Sequence, residues 1–230
     1  MSSANNDDEA AEIVCCAACG IAEVDDMKLK KCTACKLVRY CSVECQKNHR
    51  KQHKLDCKKR MAELRDELLF KQPESSHLGD CPICCLPQSL DETKSLLTSC
   101  CCVFICEGCS YANQLRNEDE EPSCPFCREP YVTSQAEAER NIAKRIEAGD
   151  RIAIRQRGCE WKAQQNYDVA VEFLTKAANM GDVVAHHILA NMYYAAEGVE
   201  HDVKKAVYHW EEAAIGGHPD ARYNLGATDA

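Results

Sequence analysis

The apolar positions of the chain change their spacing at Ser134. Beyond it they recur every three or four residues, as on helices that bury one face. Ser134-Gln-Ala-Glu137 has the order of a capping box, and Gly149 fits the stop of the helix it opens. The pattern then repeats: Ala170, Val171, Ala177, Ala178, Gly181, Ala185 and Leu189 return 36 residues later as Ala206, Val207, Ala213, Ala214, Gly217, Ala221 and Leu225. A fixed period of this size predicts stacked helical hairpins, with small residues where helices approach closely. The first hairpin, Asp150 to Met180, keeps the period poorly, and the last unit stops half-made at Ala230.

Before Ser134 the apolar runs are short. Val103-Phe-Ile105 reads as a brief strand and Gly108 to Leu115 as a helix. Leu64, Leu68 and Leu69 form a narrow stripe on a helix that continues to Phe70, a stripe expected to pack on a neighbouring module. Gln72-Pro-Glu-Ser-Ser-His-Leu-Gly79 interrupts the pattern and marks a boundary. The acidic segments Met1 to Glu12 and Asn117 to Glu121 are expected to be disordered and a solvated loop, respectively. The resulting map places a tail at 1–12, a first module at 13–60, and a helix with linker at 61–79. A second module follows at 80–131, then helical hairpins at 134–226 and a tail at 227–230.

Composition explains why the first half needs no large core. Among 230 residues, 28% are charged and 6% aromatic, yet 19 are cysteine. An odd cysteine count and no secretory signal argue against a disulfide framework and for a reducing, cytoplasmic or nuclear compartment. No stretch has the length and apolar continuity of a membrane span. The net charge of −9 disfavours nucleic acid for the chain as a whole. Lys47, Arg50, Lys51, Lys54, Lys58, Lys59 and Arg60 crowd one helical segment, which leaves a nucleic-acid-binding regulator as a minor alternative to an ordinary solvated helix exterior.

The cysteines stand at metal-ligand spacings. Cys16-x2-Cys19, Cys32-x2-Cys35, Cys41, Cys45, His53 and Cys57 supply eight ligands, enough for two closed tetrahedral zinc sites with no open position. His53 and Cys57 lie four apart, on one face of a helix. His49, one turn earlier, is a rival ligand whose other role is that of an exposed helix histidine. Residues 16 to 57, including Tyr40-Cys41 and Cys41-Ser-Val-Glu-Cys45-Gln46, resemble the MYND-type zinc finger. The resemblance implies interleaved ligands: Cys16, Cys19, Cys41 and Cys45 on one zinc, and Cys32, Cys35, His53 and Cys57 on the other. It also implies a peptide groove beside the last helix, in which Gln46 holds the family's glutamine position. Arg50 stands where members that bind proline-rich peptides carry tryptophan. A charge on a flexible stem replaces a flat apolar wall, so an acidic peptide or segment is the expected partner.

A second cluster runs Cys81-Pro-Ile-Cys84, Cys100-Cys101-Cys102, Cys106-x2-Cys109 and Cys124-Pro-Phe-Cys127. It resembles a RING-type finger in an all-cysteine form, lacking the histidine of the middle group. The resemblance implies one zinc on Cys81, Cys84, Cys106 and Cys109. The other falls on Cys124, Cys127 and two of the cysteine triplet. Cys100 and Cys102 are preferred because a one-residue gap lets both face one ion, with Cys100 and Cys101 as the alternative. Four zinc ions are therefore expected. In RING fingers that act as ubiquitin ligases, residues at the positions of Ile83 and Pro125 help dock a ubiquitin-conjugating enzyme. A basic residue at the position of Arg128 contacts ubiquitin. Such proteins use no nucleophile of their own, and no catalytic residue is assigned.

The run Gly198-Val199, Asp202, Lys205-Ala206, Trp210, Ala213-Ala214, Gly217, Ala221 and Leu225-Gly226 resembles a Sel-one-like repeat, a tetratricopeptide-related family whose arrays bind proteins. His186, His187 and His209 read as helix histidines rather than ligands, and Cys159 as a small apolar residue. The whole is expected to be multidomain: two small zinc-stabilised α+β fingers followed by an all-α helical-repeat solenoid. The expected activity is that of a zinc-dependent protein-interaction protein. Its finer form is a RING-type ubiquitin ligase or ligase subunit, or else a non-catalytic zinc-finger adaptor.

Overall fold

A computed structural model of the chain describes residues 14–74, 76–116 and 122–228. The segments expected to be a disordered tail and an acidic loop lie outside the described residues. The chain forms two compact units, divided between Phe70 and Lys71.

The first unit is a finger with almost no conventional core. Strands β1 (Lys30–Lys31) and β2 (Arg39–Tyr40) pair antiparallel, Lys30 opposite Tyr40. Helix α1 runs unbroken from Val43 to Phe70, so the linker begins only at Lys71. Buried Cys16, Leu29, Cys32, Cys35 and Tyr40 make the interior, with Cys41, Cys45 and Cys57 against them. Among the described residues of α1, His53 alone is buried. Of the stripe expected to pack on a neighbouring module, Leu64 and Leu69 are half-buried. Leu68 is 54% exposed, and Arg60 ion pairs with Glu63 and Glu67 lace the same stretch.

The second unit joins the other finger to the helical array. Strands β3 (Ser95–Thr98) and β4 (Val103–Cys106) form a hairpin, from Ser95 opposite Cys106 to Thr98 opposite Val103, and α2 (Glu107–Arg116) follows. The helices are α3 (Gln135–Glu147), α4 (Arg151–Ala163), α5 (Tyr167–Asn179), α6 (Val183–Ala195), α7 (Val203–Ile215) and α8 (Pro219–Thr228). Ser134, Asp150, Asp182 and Asp202 cap α3, α4, α6 and α7 by accepting backbone N–H bonds with their side chains. The turns closing α5 and α7 pass through Gly181 (φ +80°) and Gly217 (φ +90°), where a side chain would be strained.

The same geometry explains the irregular first hairpin. Residues 164–166 join α4 to α5, whereas the longer loop 196–202 joins α6 to α7. Four residues are missing from the first loop, so the period slips while the helices still stack. Ile154, Leu174, Ala177, Ala178, Ala185, Leu189 and Met192 form the main core. A smaller core joins finger to array: Cys102 and Leu97 from the hairpin meet Ile142, Ile146, Ile152 and Ala153 from α3 and α4.

Candidate metal centres

Four groups of side chains converge at metal-ligand distances: Cys16, Cys19, Cys41, Cys45; Cys32, Cys35, His53, Cys57; Cys81, Cys84, Cys106, Cys109; and Cys100, Cys101, Cys124, Cys127. In each finger the ligands interleave. The first Cys-x2-Cys loop of the first unit meets Cys41 and Cys45 at the start of α1. The second meets His53 and Cys57 farther along the same helix.

Four of the five Cys-x2-Cys pairs share one backbone construction, the fifth, Cys106–Cys109, lying where β4 runs into α2. In each of the four, the residue after the second cysteine donates its N–H to the carbonyl of the first cysteine: Gly20 to Cys16, Lys36 to Cys32, Cys85 to Cys81 and Arg128 to Cys124, at 2.8–3.0 Å. That residue has φ between +57° and +74° in all four. The loop thus closes into a tight knuckle with both sulfurs turned to the same point.

The distances fit zinc. Cys19 and Cys41, and Cys41 and Cys45, have sulfurs 3.5 Å apart, and those of Cys84 and Cys106 are 3.8 Å apart. A tetrahedral zinc with sulfur at ~2.3 Å sets its ligands ~3.8 Å apart. A disulfide would bring them to ~2.05 Å, and all 19 cysteines are free. His53 points Nε2 at Cys35 Sγ, 3.2 Å away. His49 stays out of the cluster; it is half-buried and its Nδ1 pairs with the Tyr40 hydroxyl at 3.1 Å, so it is not the exposed histidine expected.

The electrostatics call for a cation. Burial opposes the Cys16 thiolate, but the backbone N–H groups of Cys41, Cys19 and Ala18 outweigh it and draw the thiol down to about 6. Cys32 and Cys81 are likewise drawn down to about 6, against burial, by backbone N–H groups. Their neighbours go the other way: Cys45 beside Cys41 pushes it up to about 12, and Cys106 does the same to Cys109. Burial, then Cys35, pushes Cys57 up to about 11. In the first three groups one thiolate forms easily, while Cys41, Cys57 and Cys109 resist taking on further charge. A divalent metal ion removes that resistance.

One ligand differs from expectation. Cys101, not Cys102, joins Cys100, Cys124 and Cys127. Cys102 is 1% exposed and sits in the core between finger and array, with Ile142 and Ala153. The reason lies in the turn between β3 and β4. There the Cys102 N–H bonds the Thr98 carbonyl at 2.7 Å and φ reaches +51°, the left-handed conformation found after each second cysteine of the other knuckles. Such a turn converges adjacent side chains and sends the third away.

The other expected positions are distributed as follows. Gln46 and Arg50 line an open groove of ≈ 800 Å³ along α1, with Lys47, Lys51, Lys54 and Met61. Ile83 is 43% exposed at the tip of the Cys81–Cys84 knuckle, Pro125 is half-buried in the Cys124–Cys127 knuckle, and Arg128 is exposed beside it. Cys159 packs against the main core, where burial pushes its thiol up, as suits an inert residue.

The family comparison agrees with the construction of the first finger. Residues 16–57 match the MYND finger family. The finger is thus a zinc-binding MYND finger, on the family match and the ligand geometry together. Among solved structures, the chain is similar to a Sel1 repeat protein from Oxalobacter formigenes, with 30% identity over 39% of this chain and 70% of that one, at a TM-score of 0.37. No curated protein matches the chain. Among the described residues, no helix is long and apolar enough to cross a membrane.

Proposed function

We propose that this zinc-binding, protein-interaction chain uses its second finger to recruit a ubiquitin-conjugating enzyme, acting as a ligase or ligase subunit. The observation that carries the reading is the two-sidedness of that finger. Leu97 and Cys102 are spent on the helical array. Ile83, Leu86 and Phe126, on the two knuckles, remain 43%, 64% and 40% exposed. An apolar side chain held on a rigid, metal-closed loop and left out of the core is suited to docking. Transfer would come from holding the thioester in a reactive arrangement, with Arg128 positioned beside the last ligand to contact ubiquitin.

The test is ubiquitin discharge from a panel of charged conjugating enzymes. Ile83→Ala and Arg128→Ala are each expected to leave zinc content unchanged and slow transfer at least tenfold. Folded, zinc-loaded protein that discharges none of the panel would return the finger to the role of a non-catalytic adaptor. For the MYND finger, the cationic lining of the α1 groove supports an acidic peptide as partner. Binding of such a peptide should weaken with salt, and Arg50→Trp should shift preference toward proline-rich peptides.

A further inference from the structure

The helical array repeats one contact at each junction between hairpins. Asp182, the cap of α6, is reached by Arg155, which lies five residues beyond Asp150, the preceding cap; the pair is 3.2 Å apart. One junction later the corresponding positions are His187, five residues beyond Asp182, and His218, immediately before α8. The ion pair has become two imidazoles stacked 4.0 Å apart. His77 also stacks on His218, at 4.3 Å. It comes from the segment whose start is tied to α8 by Arg222, which donates to the Lys71 carbonyl at 2.8 Å.

Packing does not account for these rings. Nδ1 of His77, His187 and His218 is in each case buried without a hydrogen-bond partner, and His218 is only 7% exposed. Apolar side chains would fill the junction without that cost. Burial also keeps the rings neutral, the form in which imidazole ligates metals. Asp220, in the first turn of α8, brings an exposed carboxylate to the same place. One ligand atom from each of His187, His218 and Asp220 lies within 4.8 Å of the others.

We propose that His187, His218 and Asp220 form a fifth metal site, for a borderline divalent cation of the zinc class, with His77 stacked on its His218 ligand. Two imidazoles and a carboxylate suit Zn²⁺, Co²⁺ or Ni²⁺, and no thiolate is involved. Ligands of a tetrahedral zinc at ~2.0–2.1 Å lie ~3.3 Å apart, so the site tightens by ring rotation when the ion enters. Entry costs one hydrogen bond. Trp210 Nε1 donates to Asn191 Oδ1 at 3.0 Å, which turns the Asn191 amide nitrogen to His187 Nε2 at 3.1 Å. Neutral His187 then carries its proton on Nδ1, and ligation through either nitrogen gives up the Asn191 contact.

The full chain, loaded with four zincs and freed of loose metal, is titrated with Zn²⁺ and, in parallel, with Co²⁺. One further equivalent should bind, and the Co²⁺ form should lack the intense near-ultraviolet absorption of cobalt–thiolate bonds. Asp220→Asn and His218→Gln should each weaken that equivalent at least tenfold while retaining four zincs, and the added metal should raise the Tm of the parent only. Asp220 is exposed, so its variant decides the matter if His218→Gln perturbs folding. Saturation at four equivalents, or a fifth bound equally by Asp220→Asn, would overturn the site.

Discussion

At Cys102 a side chain is held at φ +51°, in a region that costs an ordinary residue about 1 kcal/mol or more, and it is buried there. The position needs an αL backbone to close the turn behind the fourth metal group, and the sulfur then fills space against Ile142 and Ala153. Adjacent cysteines therefore have unlike roles, and their variants should separate. Cys101→Ala is expected to lose one zinc of the four. Cys102→Ala should keep all four and lower stability by about 1 kcal/mol, the cost of a small vacancy in a packed core. Zinc counting by native mass spectrometry with a thermal melt checks both; loss of zinc from Cys102→Ala would return it to the ligand set. The distinction was illegible because a run of three cysteines carries no sign of which one follows the knuckle. Glycine at 102 would have been such a sign, whereas Gly20 does mark the end of the first knuckle.

Among the elements, the caps were readable and the junctions were not. Ser134 was legible as a cap from its capping box, because a cap acts within one turn of sequence. Asp150, Asp182 and Asp202 can be found by the same local logic. The meeting of residues five past one cap with the next cap spans a whole hairpin, and the short loop 164–166 hides the first instance. In the sequence the paired His186 and His209 likewise read only as separate helix histidines. His186 Nε2–H donates to the Ala178 carbonyl, so its Nδ1 is the acceptor for His209 Nδ1–H at 3.0 Å. Burial first, then His186 and Lys205, hold His209 down to about 4, against the opposing pull of Glu212. Tyr193 and Tyr208 also face the ring. Between the ordinary histidine value near ~6.5 and about 4, the unfolded chain takes up a proton that the fold refuses. Stability contributed by this residue is therefore complete above that window and is lost as pH falls through it. Partial exposure and screening discount the loss to about 1 kcal/mol. Urea melts at pH 7 and pH 4.5 should show a smaller decline for His209→Gln than for the parent. Zinc release at acid pH affects both proteins alike, so an equal decline would mean that His209 does not titrate in this way.

For the molecule as a whole, metal and apolar burial hold different regions, and this follows from where the cysteines lie. The interior of the first unit consists largely of its own zinc ligands, with Leu29 and Tyr40 between them, so its folding energy is in essence metal-binding energy. On the order of 10 kcal/mol per structural zinc is at stake at neutral pH. The helical array has an apolar core of its own, from Ile154 to Met192, that contains no ligand. Between these extremes stands the second finger, whose Cys102 and Leu97 share a core with α3 and α4. The finger and array were separately legible from spacing and period. Their shared core was not, because it joins a residue read as a ligand to two faces of helices far along the chain. The consequence is graded sensitivity to chelation, visible by hydrogen exchange. Amides of α1 between Val43 and Cys57 should lose protection as zinc is withdrawn, those of α3 and α4 should lose part of it, and those of α5 to α7 should keep most. Cys57→Ser should lose one zinc and expose only the first unit. If exchange instead rose uniformly from α3 to α8, the array would depend on the finger's metal for its fold, and the core around Leu174 and Leu189 would not be self-sufficient.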